Sequence, residues 1–177
     1  MSDTKATPNR PLGPIVSASH LATGGSPALS EFEFGLMMMM NAFQRWMVRA
    51  MIAAGVQDVS PLDVMVLNAV QHRARPKRLA DICLVLNVED THTVSYAIKK
   101  LERAKLVKSG KAGKEKVVTI TPAGEAACAR YRDIRETLLV KAVKSLGVPE
   151  ERLSEIASTM RVLSGHYDQA ARSAASL

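Results

Sequence analysis

The apolar positions first take a helical period between Leu29 and Ala54. Leu36, Met40, Phe43, Met47, Met51 and Ala54 fall at i, i+4, i+7, i+11, i+15 and i+18, one face of a helix. Met37, Met38, Met39 and Trp46 widen that stripe beyond a single face. Such a helix is expected to be covered on more than one side, by its own core and by a second subunit. A second helix starts at Ser60, with Ser60 as N-cap, Pro61 at the first helical position and Asp63 at N3, the pattern of a capping box. Leu62, Met65, Val66, Ala69 and Val70 are its expected buried face, and it ends near Arg73, before Pro76. A short third helix turns Leu79, Ile82, Cys83 and Leu86 inward, and Asn87 to Asp90 break it. Asp90 then caps a fourth helix over about 91–104. Leu106-Val107, a polar stretch with Gly110 and Gly113, and Val117 to Ile120 predict a two-stranded hairpin with a loose tip. Thr121 and Pro122 open a long helix to about Leu146, and a last helix follows Gly147 and Pro149, over about 150–171. Residues 1–28 show neither period and hold four of the eight prolines, so they read as an extended, flexible N-terminal arm.

The element order gives a fold class: mainly α with a small β-hairpin wing, a winged helix-turn-helix over 29–177 whose long N- and C-terminal helices cover about 29–54 and 122–171. Composition narrows the class. Of 177 residues, 47% are hydrophobic, enough for a folded core. Two cysteines exclude a disulfide scaffold and a four-cysteine zinc site. No apolar run reaches the length of a membrane span, and the N-terminus lacks the layout of a secretory signal, so no membrane partner and a cytoplasmic setting are expected.

Charge changes the picture most. Between Gln71 and Lys116 there are 12 basic and 5 acidic residues, 12 − 5 = +7, and outside that window 12 basic meet 12 acidic residues. The whole net charge lies in 46 residues, which suggests a polyanionic partner. In the fourth helix Val94, Ala97, Ile98 and Leu101 form the inner face. His92, Tyr96, Lys99 and Arg103 project opposite, flanked by Thr91, Ser95 and Lys100. The hydroxyls of Thr91, Thr93 and Ser95, with the His92 imidazole, suit base edges near the helix N-terminus; Lys99, Lys100 and Arg103 suit phosphates. Lys108, Lys111, Lys114 and Lys116 recur through the hairpin with only Glu115 opposing. A basic helix followed by a basic ribbon is the layout of a major-groove helix and its wing.

The stretch Thr93-Val94-Ser95-Tyr96-Ala97-Ile98-Lys99-Lys100-Leu101-Glu102-Arg103-Ala104-Lys105-Leu106-Val107 resembles the recognition helix and wing entry of the MarR family of winged-helix transcription regulators. Val118-Thr119-Ile120-Thr121-Pro122-Ala123-Gly124 resembles the return strand and following helix, and Leu79-Ala80-Asp81-Ile82 the first helix of the turn. The resemblance implies a homodimer with interlocking terminal helices on a pseudo-palindromic site. It also implies a small-molecule effector bound between the first helix, the second and the dimer helices. Three departures stand out. The wing tip, Lys111-Ala112-Gly113-Lys114-Glu115-Lys116, lacks the family's Asp and Arg, leaving Lys114 as the substitute. The turn at Val88-Glu89-Asp90 is about one residue longer. Leu84 and Val85 are apolar where the family is polar, which points to a partner surface or to shifted packing.

No other chemistry is evident. His20, His72, His92 and His166 share no metal-ligand spacing with cysteines or carboxylates, so no metal and no cofactor are expected. Cys83 and Cys128 read as small packed residues. No phosphate-cradling glycine loop or nucleophile elbow occurs, so no catalytic residue and no enzymatic activity are expected. The residues thus predict a sequence-specific transcription regulator that binds double-stranded DNA. The alternative is a winged-helix module for protein or RNA contact.

Overall fold

The structure is a computed structural model and describes residues 13–177. The part of the expected arm that falls on residues 1–12 lies outside the described residues. Two compact units divide the described residues, the first ending at Cys128 and the second running from Ala129 to Leu177. In the first, residues 19–22 are helical rather than extended: α1 covers Ser19–Ala22. The Ser30 hydroxyl donates to the Leu21 carbonyl at 2.7 Å, fixing this turn to the next helix. Helix α2, Pro27–Ala53, starts where Ser26 accepts the Leu29 amide and Pro27 takes the first position. Its C-terminal half buries Met47, Ala50 and Met51, while Met37 to Met40 and Phe43 stay exposed.

Helix α3, Pro61–Gln71, has the expected capping box: Ser60 N–H donates to Asp63 Oδ2 at 2.7 Å, and Asp63 N–H to Ser60 Oγ at 3.2 Å. Its buried face is rotated from the expected one. Val64, Val66, Leu67 and Val70 are buried, whereas Leu62, Met65 and Ala69 are only half-buried. Neighbours on several sides cover α3, so polarity alone does not fix its phase.

A strand too short to show a period, β1 (Lys77–Arg78), precedes α4 (Leu79–Leu86). Helix α5 covers Thr91–Arg103, with Asp90 accepting the His92 amide at 2.8 Å. Strands β2 (Val107–Ala112) and β3 (Glu115–Ile120) make the wing, and β1 pairs with β3, giving the antiparallel order β1-β3-β2. The wing tip is tight rather than loose. Pairing continues to Ala112↔Glu115, leaving Gly113 and Lys114 as the loop. Gly113 has φ +64°, and a glycine first in a two-residue loop suits a turn matched to the strand twist.

Met51, Leu67, Ile82, Leu101, Val64, Val66, Val70 and Val94, from α2 to α5, form the core of this unit. Helix α6, Pro122–Ile134, opens with Thr121 Oγ accepting the Gly124 amide at 3.1 Å. At Gly124 a Cβ would run into the Leu106 carbonyl and the Ile120 side chain, so only glycine lets the helix start this close to the wing base.

In the second unit the helical course continues to Leu146 as expected, but not as one regular helix. A π segment, Arg135–Val140, separates α6 from α7, Lys141–Ser145. Such a widened turn accommodates an extra residue in the i→i+5 pattern, and composition does not announce it. Helix α8, Glu150–Ala174, follows Pro149. Leu138, Leu146, Leu153, Ile156 and Val162 of this unit are exposed. Among the described residues no helix is long and apolar enough to cross a membrane.

Candidate nucleic-acid interface

Helix α5 presents the face its sequence requires. Val94, Ala97, Ile98 and Leu101 are buried; Thr91, His92, Thr93, Tyr96, Lys99 and Arg103 are exposed, and Ser95 is half-buried. The Arg103 guanidinium lies 6.0 Å from the centroid of the Tyr96 ring, close enough for a cation–π contact. Two sequence-predicted contact residues are therefore held together in one outward patch. Thr93 turns its hydroxyl back to donate to the Asp90 carbonyl at 2.8 Å, which reinforces the cap and leaves the hydroxyl oxygen as an acceptor.

Lys100 stands apart from its neighbours. Its ammonium pairs with Asp63 at 3.1 Å and reaches Asp58 at 3.7 Å. The Asp63 carboxylate holds the Lys100 pKa above the usual lysine value. Sequence reasoning placed Lys100 with Lys99 because they are adjacent, but one residue turns a helix by about 100°, which is enough to carry its head to another partner.

Two further cations of the basic window are engaged internally. Lys77 is buried and donates to the carbonyls of His72 at 2.6 Å and Arg75 at 3.2 Å. Burial, with Arg75 and Arg73 adding to it, lowers its pKa. Arg78 pairs with Asp81 at 2.9 Å and with Glu115 at 3.2 Å. The guanidinium holds the Asp81 carboxyl below the usual range, and the two carboxylates raise the pKa of Arg78. Arg78 thus ties the start of α4 to the wing and neutralises the single acidic residue of the ribbon. The sequence carried no local signal for this bridge, because its two ends meet only through the β1–β3 pairing.

Two more acids of the window are similarly occupied. Asp90 caps α5, and Glu102 accepts the Ser109 amide at 2.8 Å, fastening the end of α5 to the wing. Lys111 and Lys116 are directly opposed across the ribbon. Like charges at opposed positions are unfavourable in a free protein, and an anion laid against them relieves the repulsion. Lys99, Lys105, Lys108, Lys111, Lys114 and Lys116 are all exposed.

Cys128 is half-buried, and burial, with Glu125 adding to it, pushes its thiol from 9.0 up to about 11. Cys83 is buried. Among the described residues no group of three His, Cys, Asp or Glu side chains is arranged to hold a metal ion.

Residues 59–124 match the winged helix DNA-binding domain family, and that stretch contains α3 to β3 entire. Among solved structures the chain is similar to CouR from Rhodococcus jostii RHA1 bound to p-coumaroyl-CoA, at 17% identity and a TM-score of 0.61 over 78% of this chain and 95% of that one. It is similar to a MarR family regulator from Neisseria meningitidis, at 16% identity and a TM-score of 0.63 over 80% and 94%. It is also similar to S. aureus MepR in a DNA complex, at 17% identity and a TM-score of 0.59 over 76% and 95%. A search of curated proteins gives no match. The fold expected from the sequence, a MarR-like winged helix, is the fold observed.

Proposed function

We propose that this chain, with a winged-helix DNA-binding domain at 59–124 and the fold of MarR-family regulators, is a transcription regulator that reads duplex DNA as a homodimer. The observation that carries the reading is the charge arrangement on α5 and the wing. Lys99, Arg103, Lys111, Lys114 and Lys116 face outward while Asp81, Asp90, Glu102 and Glu115 are drawn into internal contacts. Helix α5 enters the major groove, where His92, Thr91 and Ser95 meet base edges. Lys99, Arg103 and the wing lysines neutralise phosphates. The exposed Met37 to Met40 and Phe43 on α2, and Leu153, Ile156 and Val162 on α8, support a second copy as the cover for both helices. Paired recognition helices then address half-sites about one DNA turn apart. A small-molecule effector belongs to the same reading, on the analogy of CouR with its bound p-coumaroyl-CoA. The reading assigns no catalytic role and a cytoplasmic setting.

Recovery and sequencing of protein-bound fragments of the host genome, followed by titration of the recovered duplex, a random duplex and a single strand at several salt concentrations, tests the proposal. The recovered duplex is expected to bind tightest, with log K falling by about 0.9 per contacted phosphate for each tenfold rise in salt. Equal affinity for all three nucleic acids would overturn it. One observation favours a different reading: Leu84 and Val85 on α4 are 81% and 74% exposed, which suits docking of a protein. Equal binding in that titration would support this reading instead.

A further inference from the structure

We infer that Lys100 is a positioning residue that locks the recognition helix to the start of α3, and that it does not contact phosphate. The inference rests on the DNA-reading role proposed above for α5. Asp63 is the pivot. Its side chain is only 4% exposed, and a single oxygen, Oδ2, accepts both the Ser60 amide at 2.7 Å and the Lys100 ammonium at 3.1 Å. The capping box of α3 and the last turns of α5 therefore share one carboxylate oxygen. Asp58, whose side chain is 95% exposed, adds a longer contact to the same ammonium at 3.7 Å. The Lys100 side chain is 25% exposed, so its stem runs along the protein before its charge reaches the carboxylates.

Geometry gives this lock its purpose. The segment between α2 and α3 turns at Asp58, which has φ +53°, an unusual conformation for a residue other than glycine. A cleft of about 210 Å³ lies between that segment and α5, with Asp58, Asp63, Lys100 and Arg103 on its walls. Arg103, one turn from Lys99 on the outward face, is therefore seated beside the locked pair. A rotation of α5 about its axis would shift Arg103, Tyr96 and His92 together relative to the bases. The Lys100–Asp63 pair resists that rotation from the flank of the helix. A buried carboxylate deprived of its cation is strongly disfavoured, so the pair holds one setting of the helix rather than a range.

Three substitutions separate positioning from contact. Lys99→Ala removes an outward cation, and the salt slope of duplex binding is expected to fall by about 1, with recovered and random duplexes weakened alike. Lys100→Met keeps the stem and removes the charge. Its salt slope is expected to stay at the wild-type value, while the preference for the recovered over the random duplex narrows about tenfold, the scale of one misread base pair. Lys100→Arg is expected to restore the preference. If Lys100→Met fails to fold, Asp63→Asn carries the same test, because its amide oxygen still accepts the Ser60 amide. A slope reduced by about 1 in Lys100→Met would overturn the inference. So would Lys100→Met or Asp63→Asn keeping the full wild-type preference for the recovered duplex, because the pair would then position nothing. Failure of the wild-type protein to bind any duplex would instead overturn the DNA-reading role itself.

Discussion

Gly124 shows how far a single residue constrains the domain. The helix start and the wing base approach until the Leu106 carbonyl and Ile120 occupy the place of a Cβ. Gly124→Ala is expected to destabilise the protein by about 1–3 kcal/mol, as overpacking of a rigid backbone contact does, and a lower urea midpoint with an unchanged m-value would register it. An unchanged midpoint would mean that α6 can start elsewhere. Cys128 gives a pH-dependent expectation. A thiol raised from 9.0 to about 11 carries roughly a hundredth of the thiolate at pH 8. Alkylation of the native protein at Cys128 should be slow by that factor and quicken as pH rises towards 11, with the unfolded chain as reference. On α5, His92→Ala or Ser95→Ala should blur base preference in a mobility-shift titration without changing the salt slope. If neither changes the preference, these residues do not read bases. At this scale much was legible in the sequence. The Ser60–Asp63 and Asp90 caps were written in neighbouring residues. The Lys100–Asp63 pair and the Arg78–Glu115 bridge were not, because each joins residues that only the tertiary fold brings together.

Among the elements, those with a long period or a cap were readable. Helix α5 has a clean apolar side, Val94 to Leu101, against a polar remainder, which gives its exposed face, and the Asp90 cap gives its start. The wing was readable from its β-branched strand and glycines, though its tip is tighter than the glycine content suggested. Strand β1 has two residues and α1 has four, too few to establish any periodicity. The π segment at 135–140 keeps the composition of a helix and changes only its winding. The wing carries its own prediction. Lys111, Lys114 and Lys116 are exposed, and the first and last are opposed across the ribbon. Replacing all three with alanine should lower the salt slope by up to about 3 while raising resistance to denaturant slightly, because the Lys111–Lys116 repulsion goes. A slope that does not move would mean that the wing stays off the DNA backbone.

At the scale of the whole molecule, the sequence's charge balance carries over with one refinement. The window of +7 is not a uniform cationic surface. Lys77, Arg78, Lys100 and Arg103 serve carbonyls or carboxylates, leaving 12 − 4 = 8 of its basic residues without such a role among the described contacts. The apolar residues exposed on α2 and α8 call for a cover, and a second copy supplies it in the proposed reading. Light scattering is expected to give about twice the 19.2 kDa chain mass, and a Met38→Glu, Met39→Glu double variant to shift that value towards the monomer; a wild-type monomer at micromolar concentration would remove the homodimer. The central claim is that α5 lies in the major groove. Dimethyl sulfate, which methylates guanine N7 on the major-groove edge, tests it most directly on the duplex recovered from the genome. Protection is expected in two clusters about 10 base pairs apart, with the pattern within each cluster altered by His92→Ala. Tight binding that leaves every guanine N7 open to the reagent would contradict the account.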